Sequence, residues 1–257
     1  MKTFLTATRP LPRSGQIGMA SAQATADVLQ LRRSTCMRRH VCRGESVCGI
    51  GDLFRMLYVV RTGTLKSFLV SHSGVTQITG FQIAGDMIGL DGIGTGHHQS
   101  TVVALEDAEV FVLPFAQYEQ LSLASQCSQR SMMRMLAQEI IRSRNHLLVL
   151  GTMRAEQRVA LFLLDISMRY GRLGYSRSQF LLRMTRQDVG SFLGLTLETV
   201  SRSLSRLQRE GVIQVQGKSV ALLDFTALWR LAGVSSIGPS PAIYPIVDRA
   251  GTLLVPN

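Results

Sequence analysis

One stretch constrains the fold of this chain more than any other: TRQDVGSFLGLTLETVSRSLSRLQREGVIQVQGKSVALL, from Thr185 to Leu223. Thr185 ahead of Asp188, and Thr196 ahead of Thr199, place hydroxyl N-caps before two apolar-periodic segments. The first segment predicts a short helix over about 186–193, ended by Gly194, a residue free to take the left-handed conformation of a tight turn. The second predicts a helix over about 197–210, with Val200, Leu204 and Leu207 on one face. Glu198, Ser201, Arg202, Ser203, Arg206 and Arg209 are assigned to the other face. Gly211 closes that helix, and residues 213–215 and 219–222 flank a Gln216-Gly217-Lys218 turn, which predicts a hairpin. A short helix, a glycine turn, a polar-faced second helix and a hairpin make a winged helix-turn-helix.

The residue types on the second helix point to chemistry. Arg makes two parallel hydrogen bonds to guanine O6 and N7, Glu accepts from cytosine N4, and Ser is permissive. Glu198, Ser201 and Arg202 thus suit base edges, and Ser203 joins them among the candidate DNA-binding residues. The spacing of Arg202, Arg206 and Arg209 aligns cations where phosphates would run, Lys218 at the hairpin tip is placed to reach one, and the cap residues Thr196 and Thr199 complete the candidate DNA-binding set. The plainer alternative is a structural helical hairpin with arginines on its wet side. That alternative gives no reason for Ser, Arg and Glu to share the first exposed turn.

Charge supports the same division of labour. Residues 1–66 carry 11 basic and 3 acidic groups, and residues 67–129 carry six acids with no Lys or Arg. Residues 130–230 carry 16 basic and 7 acidic groups. An acidic middle beside a basic C-terminal part suits a chain that lays only that end on a polyanion. No apolar run approaches the roughly 18 residues of a membrane span, and the N-terminus lacks a secretory apolar core. A cytoplasmic protein without membrane contact is expected.

Ahead of the helix-turn-helix the period changes twice. Residues 1 to about 25 show none, and residues 28–39 are short and basic, with room for one or two helical turns. Between Val41 and Leu113, apolar or alternating runs at 57–60, 65–70, 75–81, 102–105 and 110–113, separated by glycine turns, predict an antiparallel roll. From about Ser128, Met133, Leu136, Ile140, Ser143, Leu147 and Leu150 recur at steps of three and four, a heptad row that predicts a parallel two-helix dimer seam. Packing of that row on the roll is the alternative. Residues 154–170 predict a further amphipathic helix. The fold class is thus α+β, with an N-terminal antiparallel β-roll, a long dimerisation helix and a C-terminal winged helix-turn-helix. The expected divisions are a loose segment over 1–40, the roll over 41–127, the dimerisation helix over 128–153, the DNA-binding domain over 154–235 and a Pro-containing tail over 236–257.

This order, and the segments LYVVRTGTLKSF (57–68), QITGFQIAGDMIGLDGIGTGHH (77–98) and MTRQDVGSFLGLTLETVSRSLSRLQ (184–208), resemble the Crp–Fnr regulators, in particular the oxygen-responsive Fnr branch. The resemblance spans roughly 41–233. It implies a homodimer on an inverted repeat of TTGAT-like half-sites, recruitment of RNA polymerase, and base reading by Glu198, Ser201 and Arg202. Two-fold symmetry would set the half-sites about 34 Å apart.

The cysteines depart from that branch. Its iron–sulfur cluster uses three closely spaced cysteines ahead of the roll and a fourth within it, whereas five residues separate Cys36 from Cys42 and Cys42 from Cys48. Registration on the family puts Cys42 and Cys48 inside the first roll strands, Phe111 in the place of the fourth ligand, and Cys127 beyond it. A 4Fe-4S cluster needs four thiolates, so the expectation is of no cofactor and no metal, with an improvised cluster or a redox disulfide from these four cysteines as the alternative. Cyclic AMP is disfavoured because the nucleotide-binding branch holds the phosphate with an Arg in the roll, and 67–129 has none. The Gly92–Gly96 loop could cradle an anion through N–H groups, with Asp86 and Asp91 opposing it. A cupin-like metalloprotein is the rival of another class. It would need His72, His97 and His98 to converge, and the adjacent pair chelates badly.

Overall fold

The computed structural model describes residues 37–233, apart from 72 and 125. Cys36, His72, the expected N-terminal segment before 37 and the Pro-containing tail lie outside the described residues, as does the side chain of Cys127. Eight strands form the roll: β1 (Met37–Val41), β2 (Ser46–Cys48), β3 (Met56–Thr62), β4 (Leu65–Val70), β5 (Thr76–Gln82), β6 (Met87–Ile88), β7 (Thr101–Ala104) and β8 (Ala108–Pro114). They pair antiparallel in two sheets, β1-β8-β3-β6 and β2-β7-β4-β5. Alternate side chains turn inward from both sheets, and Val41, Val60, Leu65, Val102 and Val110 fill the space between them.

The roll begins earlier than its sequence pattern implies. Residues 37–39, expected in a short basic helix or loose segment, instead open β1, which pairs along β8 from Met37↔Val112 to Val41↔Ala108. Arg38, Arg39 and His40 obscure the strand pattern, yet charged side chains suit an edge strand. The Arg39 guanidinium also donates to Val47 O at 3.1 Å and Ser46 O at 3.0 Å, tying the two sheets together.

Three long segments follow. α1 (Phe115–Ala124), a stretch the sequence pattern assigns to the roll, is a helix whose Tyr118 packs with Leu57, Leu113, Met132 and Met135. α2 (Gln126–Thr152) is the long helix, and α3 (Ala155–Arg172) buries a continuous run from Val159 to Ser167. Then come β9 (Gln179–Leu181), α4 (Arg186–Leu193), α5 (Leu197–Arg209), β10 (Ile213–Gln216), β11 (Ser219–Leu222) and α6 (Phe225–Leu231). The hairpin β10–β11 has a third strand that the sequence did not reveal. β9 pairs with β11, Phe180 opposite Val220.

The roll and the C-terminal unit share one apolar cluster, in which Ile78 and Phe81 of β5 join Phe162, Val189 and Leu193. Full burial of each such side chain is worth about 1.5–3 kcal/mol. Polar contacts fix the orientation. β5 is an edge strand, and its Ile78 N–H donates to Ser191 Oγ of α4 at 2.9 Å. From the neighbouring strand, Lys66 Nζ donates to Asp188 Oδ1 at 2.7 Å, and Arg183 pairs with Glu106 at 3.0 Å. α4 thus covers a row of backbone groups that would otherwise invite another strand.

Burial disfavours the charged Asp188 carboxyl, but hydrogen bonds from Lys66 and Thr185 outweigh it and hold its pKa below the ordinary 3.8. A depressed carboxyl adds stability that is present above the unfolded-state pKa and is lost as pH falls through the folded-state one. Asp188→Asn should therefore cost about 1–3 kcal/mol near neutral pH. The difference from wild type should shrink below about pH 4, where the unfolded-state carboxyl takes up its proton. Coincident urea midpoints at pH 7 would contradict this.

Candidate nucleic-acid interface

The helix-turn-helix is built by reciprocal caps. Asp188 N–H donates to Thr185 Oγ1 at 3.0 Å while Thr185 N–H donates to Asp188 Oδ2 at 2.9 Å, a capping box that starts α4. α4 ends at Gly194, whose φ of 62° is left-handed, as the sequence implied. Gly190 carries a second constraint. A Cβ there would lie 2.7 Å from Leu195 O, so only glycine lets the turn fold back this tightly. Thr199 N–H donates to Thr196 Oγ1 at 3.2 Å, capping α5.

α5 buries Val200, Ser203, Leu204 and Leu207. Glu198, Arg202, Ser205, Arg206 and Arg209 are exposed and Ser201 is half-buried. Ser203 corrects the sequence reading. It is 4% exposed, and its hydroxyl donates to Thr199 O at 2.9 Å, so it faces the core and not the base edges. Position 203 lies one turn after Val200, inside the apolar row, and its small size lets it sit there with an i−4 bond. Ser205, omitted from the predicted set, shares the exposed face. The two charged base-reading candidates sit together, Arg202 Nη1 being 3.5 Å from Glu198 Oε1.

Arg206 differs from the free phosphate contact that its sequence position implied. Its Nη1 donates to Glu156 Oε1 of α3 at 2.6 Å and its Nε to Glu210 Oε1 at 2.9 Å. Those two carboxylates raise the guanidinium pKa. Arg209 is exposed, and so is Lys218 in the turn between β10 and β11. Lys218 O accepts from Leu182 N at 2.8 Å, so the wing is braced by the segment after β9.

The heptad row on α2 divides in two. Met133, Ile140 and Leu147 are 70%, 53% and 68% exposed, and Ser143 is exposed among them. Leu136 packs on the cluster around Tyr118, and Leu150 is half-buried near the turn at Gly194. Some positions of the row thus pack within the chain, while three large apolar side chains point to solvent.

A cavity of about 770 Å³ lies where the roll, α2 and α3 meet, lined among others by Gln82, Asp86, Arg142, Asp165, Arg169 and Phe192. The roll itself supplies no cation in 67–129, but α2 and α3 bring Arg142, Arg169 and Arg172 to the walls. They meet acids there: Arg169 donates to Asp86 and lies 3.8 Å from Asp165, and Arg142 is 3.2 Å from Glu139 and 3.9 Å from Asp86. Burial raises the pKa of Asp165 against the pull of Arg169. Beside the glycine-rich loop, Asp91 Oδ2 accepts from Gln99 N at 3.1 Å and Ser100 Oγ at 2.7 Å.

Cys42 follows β1 and is exposed, with Sγ 3.8 Å from His40 Nδ1. Cys48 is buried and lies in β2, inside a strand as the family registration implied, whereas Cys42 falls just past the end of one. Burial, then the nearby Asp91 and Asp52, push its thiol pKa up to about 12. Phe111 is a buried residue of β8. His97 is exposed and His98 is buried with Nδ1 3.5 Å from Asp91, so the pair does not converge. Among the described residues, no three His, Cys, Asp or Glu side chains are arranged to hold a metal ion, and no helix is long and apolar enough to cross a membrane.

Known proteins share this arrangement. The Crp-like helix-turn-helix domain matches residues 157–231 and the cyclic nucleotide-binding domain matches 38–125. The transcriptional regulatory protein btr of Bordetella pertussis is 44% identical over 199 residues, covering 77% of this chain and 82% of that protein. The fumarate and nitrate reduction regulatory protein of Escherichia coli is 40% identical over 196 residues, 76% of this chain and 78% of its own length. Among solved structures, FixK2 from Bradyrhizobium japonicum superposes with a TM-score of 0.73 at 29% identity, over 79% of this chain and all of that one.

Proposed function

Because the chain belongs to the Crp/Fnr family of transcription regulators, we propose that it reads an inverted repeat of TTGAT-like half-sites in double-stranded DNA as a homodimer and acts through RNA polymerase. It is a regulator with a helix-turn-helix DNA-binding domain and not an enzyme, which disposes of the cupin-like alternative. The observation that carries the base-reading proposal is the exposed Glu198–Arg202 pair on a helix whose start is capped and whose opposite face is buried. Rigid presentation lowers the entropic cost of placing both side chains against base edges. Arg202 would take guanine, Glu198 cytosine, and Ser201 would accommodate the neighbouring base. Thr196 and Thr199 at the helix N-terminus, Arg209 and Lys218 would meet phosphate.

Dimerisation through α2 is supported by the exposure of Met133, Ile140 and Leu147, one residue per heptad. Two copies packed along that row would bring two α5 helices to half-sites about 34 Å apart. The signal belongs to the same proposal. The relatives named for fumarate and nitrate reduction set anaerobic regulation as the context. The described residues give a cluster of the Fnr type little support, since Cys48 is buried in the roll, where burial raises its thiol pKa, and the buried Phe111 stands at the fourth position. A cyclic nucleotide phosphate fits poorly beside Asp91, and the cavity arginines already face carboxylates.

Arg202→Ala should cost about 1–3 kcal/mol at one base position and relax specificity there, measured by competition between single-base variants of the site. If both proteins discriminate equally, Arg202 does not read a base. Ile140→Asp should convert the dimer to monomer in sedimentation and abolish tight operator binding, and a surviving dimer would remove α2 as the seam. Protein purified without air should show no visible-range absorbance and no stoichiometric iron. About four irons per chain would establish the 4Fe-4S alternative.

A further inference from the structure

The contact between Arg206 and Glu156 joins residues 50 positions apart and has a role that α5 alone does not explain. Arg206 lies at the flank of α5, between the exposed Arg202 row and the buried Ser203, and reaches sideways to the first turn of α3. At the far end of α3, Arg169 donates to Phe81 O at 2.9 Å and to Asp86, both in the roll. Glu156 and Arg169 lie on the same helix, so the two attachments stand about 20 Å apart at 1.5 Å per residue. One rigid helix therefore carries a fastening to the roll at one end and to the recognition helix at the other.

Charge decides what Arg206 does there. Its guanidinium bonds two carboxylates, so an approaching phosphate meets a local excess of one negative charge. Among the described residues Arg209 and Lys218 meet no carboxylate, and both are exposed to the backbone of a duplex.

We infer that Glu156 is a positioning residue: it engages Arg206, keeps it off the phosphates, and sets the rotation of α5 about its own axis so that Glu198 and Arg202 face the groove floor. The inference rests on α5 being the base-reading helix. Exposed ion pairs add little to folding stability, so the variants that break this one should remain folded.

The test is the salt dependence of binding to a TTGAT-like inverted repeat and to a scrambled duplex. Wild type, Arg206→Gln, Glu156→Gln and the double variant Glu156→Gln/Glu210→Gln are compared, each checked for unchanged thermal unfolding. Freeing Arg206 in the double variant should steepen the slope of log K against log salt by about 0.9 for each phosphate it newly neutralises. Arg206→Gln should leave the slope unchanged while its preference for the repeat over the scrambled duplex falls several-fold. Glu156→Gln should lose preference in the same direction. A slope that flattens by about 0.9 per site in Arg206→Gln, with the glutamate variants identical to wild type, would show that Arg206 is already a phosphate contact and overturn the inference. Failure of wild type itself to prefer the repeat is a separate result. It overturns the base-reading proposal, and this inference with it.

Discussion

The carboxylate of Asp188 is where the two halves of the chain become one object. One of its oxygens closes the capping box with Thr185 and so starts α4, and the other accepts from Lys66 of the roll. The residue that begins the helix-turn-helix is therefore also the residue that docks it. Around this bond the roll offers an edge strand whose Ile78 N–H needs a partner, and α4 supplies one from Ser191. Satisfying a strand edge with a helix does two things at once: it protects the sheet from pairing with another chain and fixes the frame in which α5 is presented.

The rest of the interface follows from that frame. With α4 held by the roll, Gly190 and Gly194 bring α5 across it, and the apolar row from Val200 to Leu207 turns inward. What is left outward is a surface of Glu, Ser and Arg whose start is capped. α3 runs behind it as a rod, bonded to the roll through Arg169 and to α5 through Glu156.

Much of this was legible in the sequence, because local rules carried it. Hydroxyl caps, a left-handed glycine and a row of leucines at helical spacing specify the helix-turn-helix without reference to anything distant, and the bounds of α4 came out as read. The strand runs of the roll were legible for the same reason. What stayed hidden depends on partners far along the chain. β1 was masked by Arg38 and Arg39, which suit an edge that only the pairing with β8 reveals. β9 is three residues long and is defined by β11. Ser203 read as exposed because it is polar, whereas its position in the row put it inside. The cations of the central cavity come from α2 and α3, so a count over the roll residues missed them. The bond from Arg206 to Glu156 was hidden as well, because the acid stands 50 residues away.

The central claim is that two copies present paired recognition helices to successive major grooves on one face of a duplex. Hydroxyl-radical footprinting on a TTGAT-like inverted repeat measures this most directly. The account predicts two protected patches about one helical turn apart, roughly 10 base pairs, offset to the same face and absent from a scrambled duplex. A single patch, uniform protection, or equal footprints on both duplexes would contradict it.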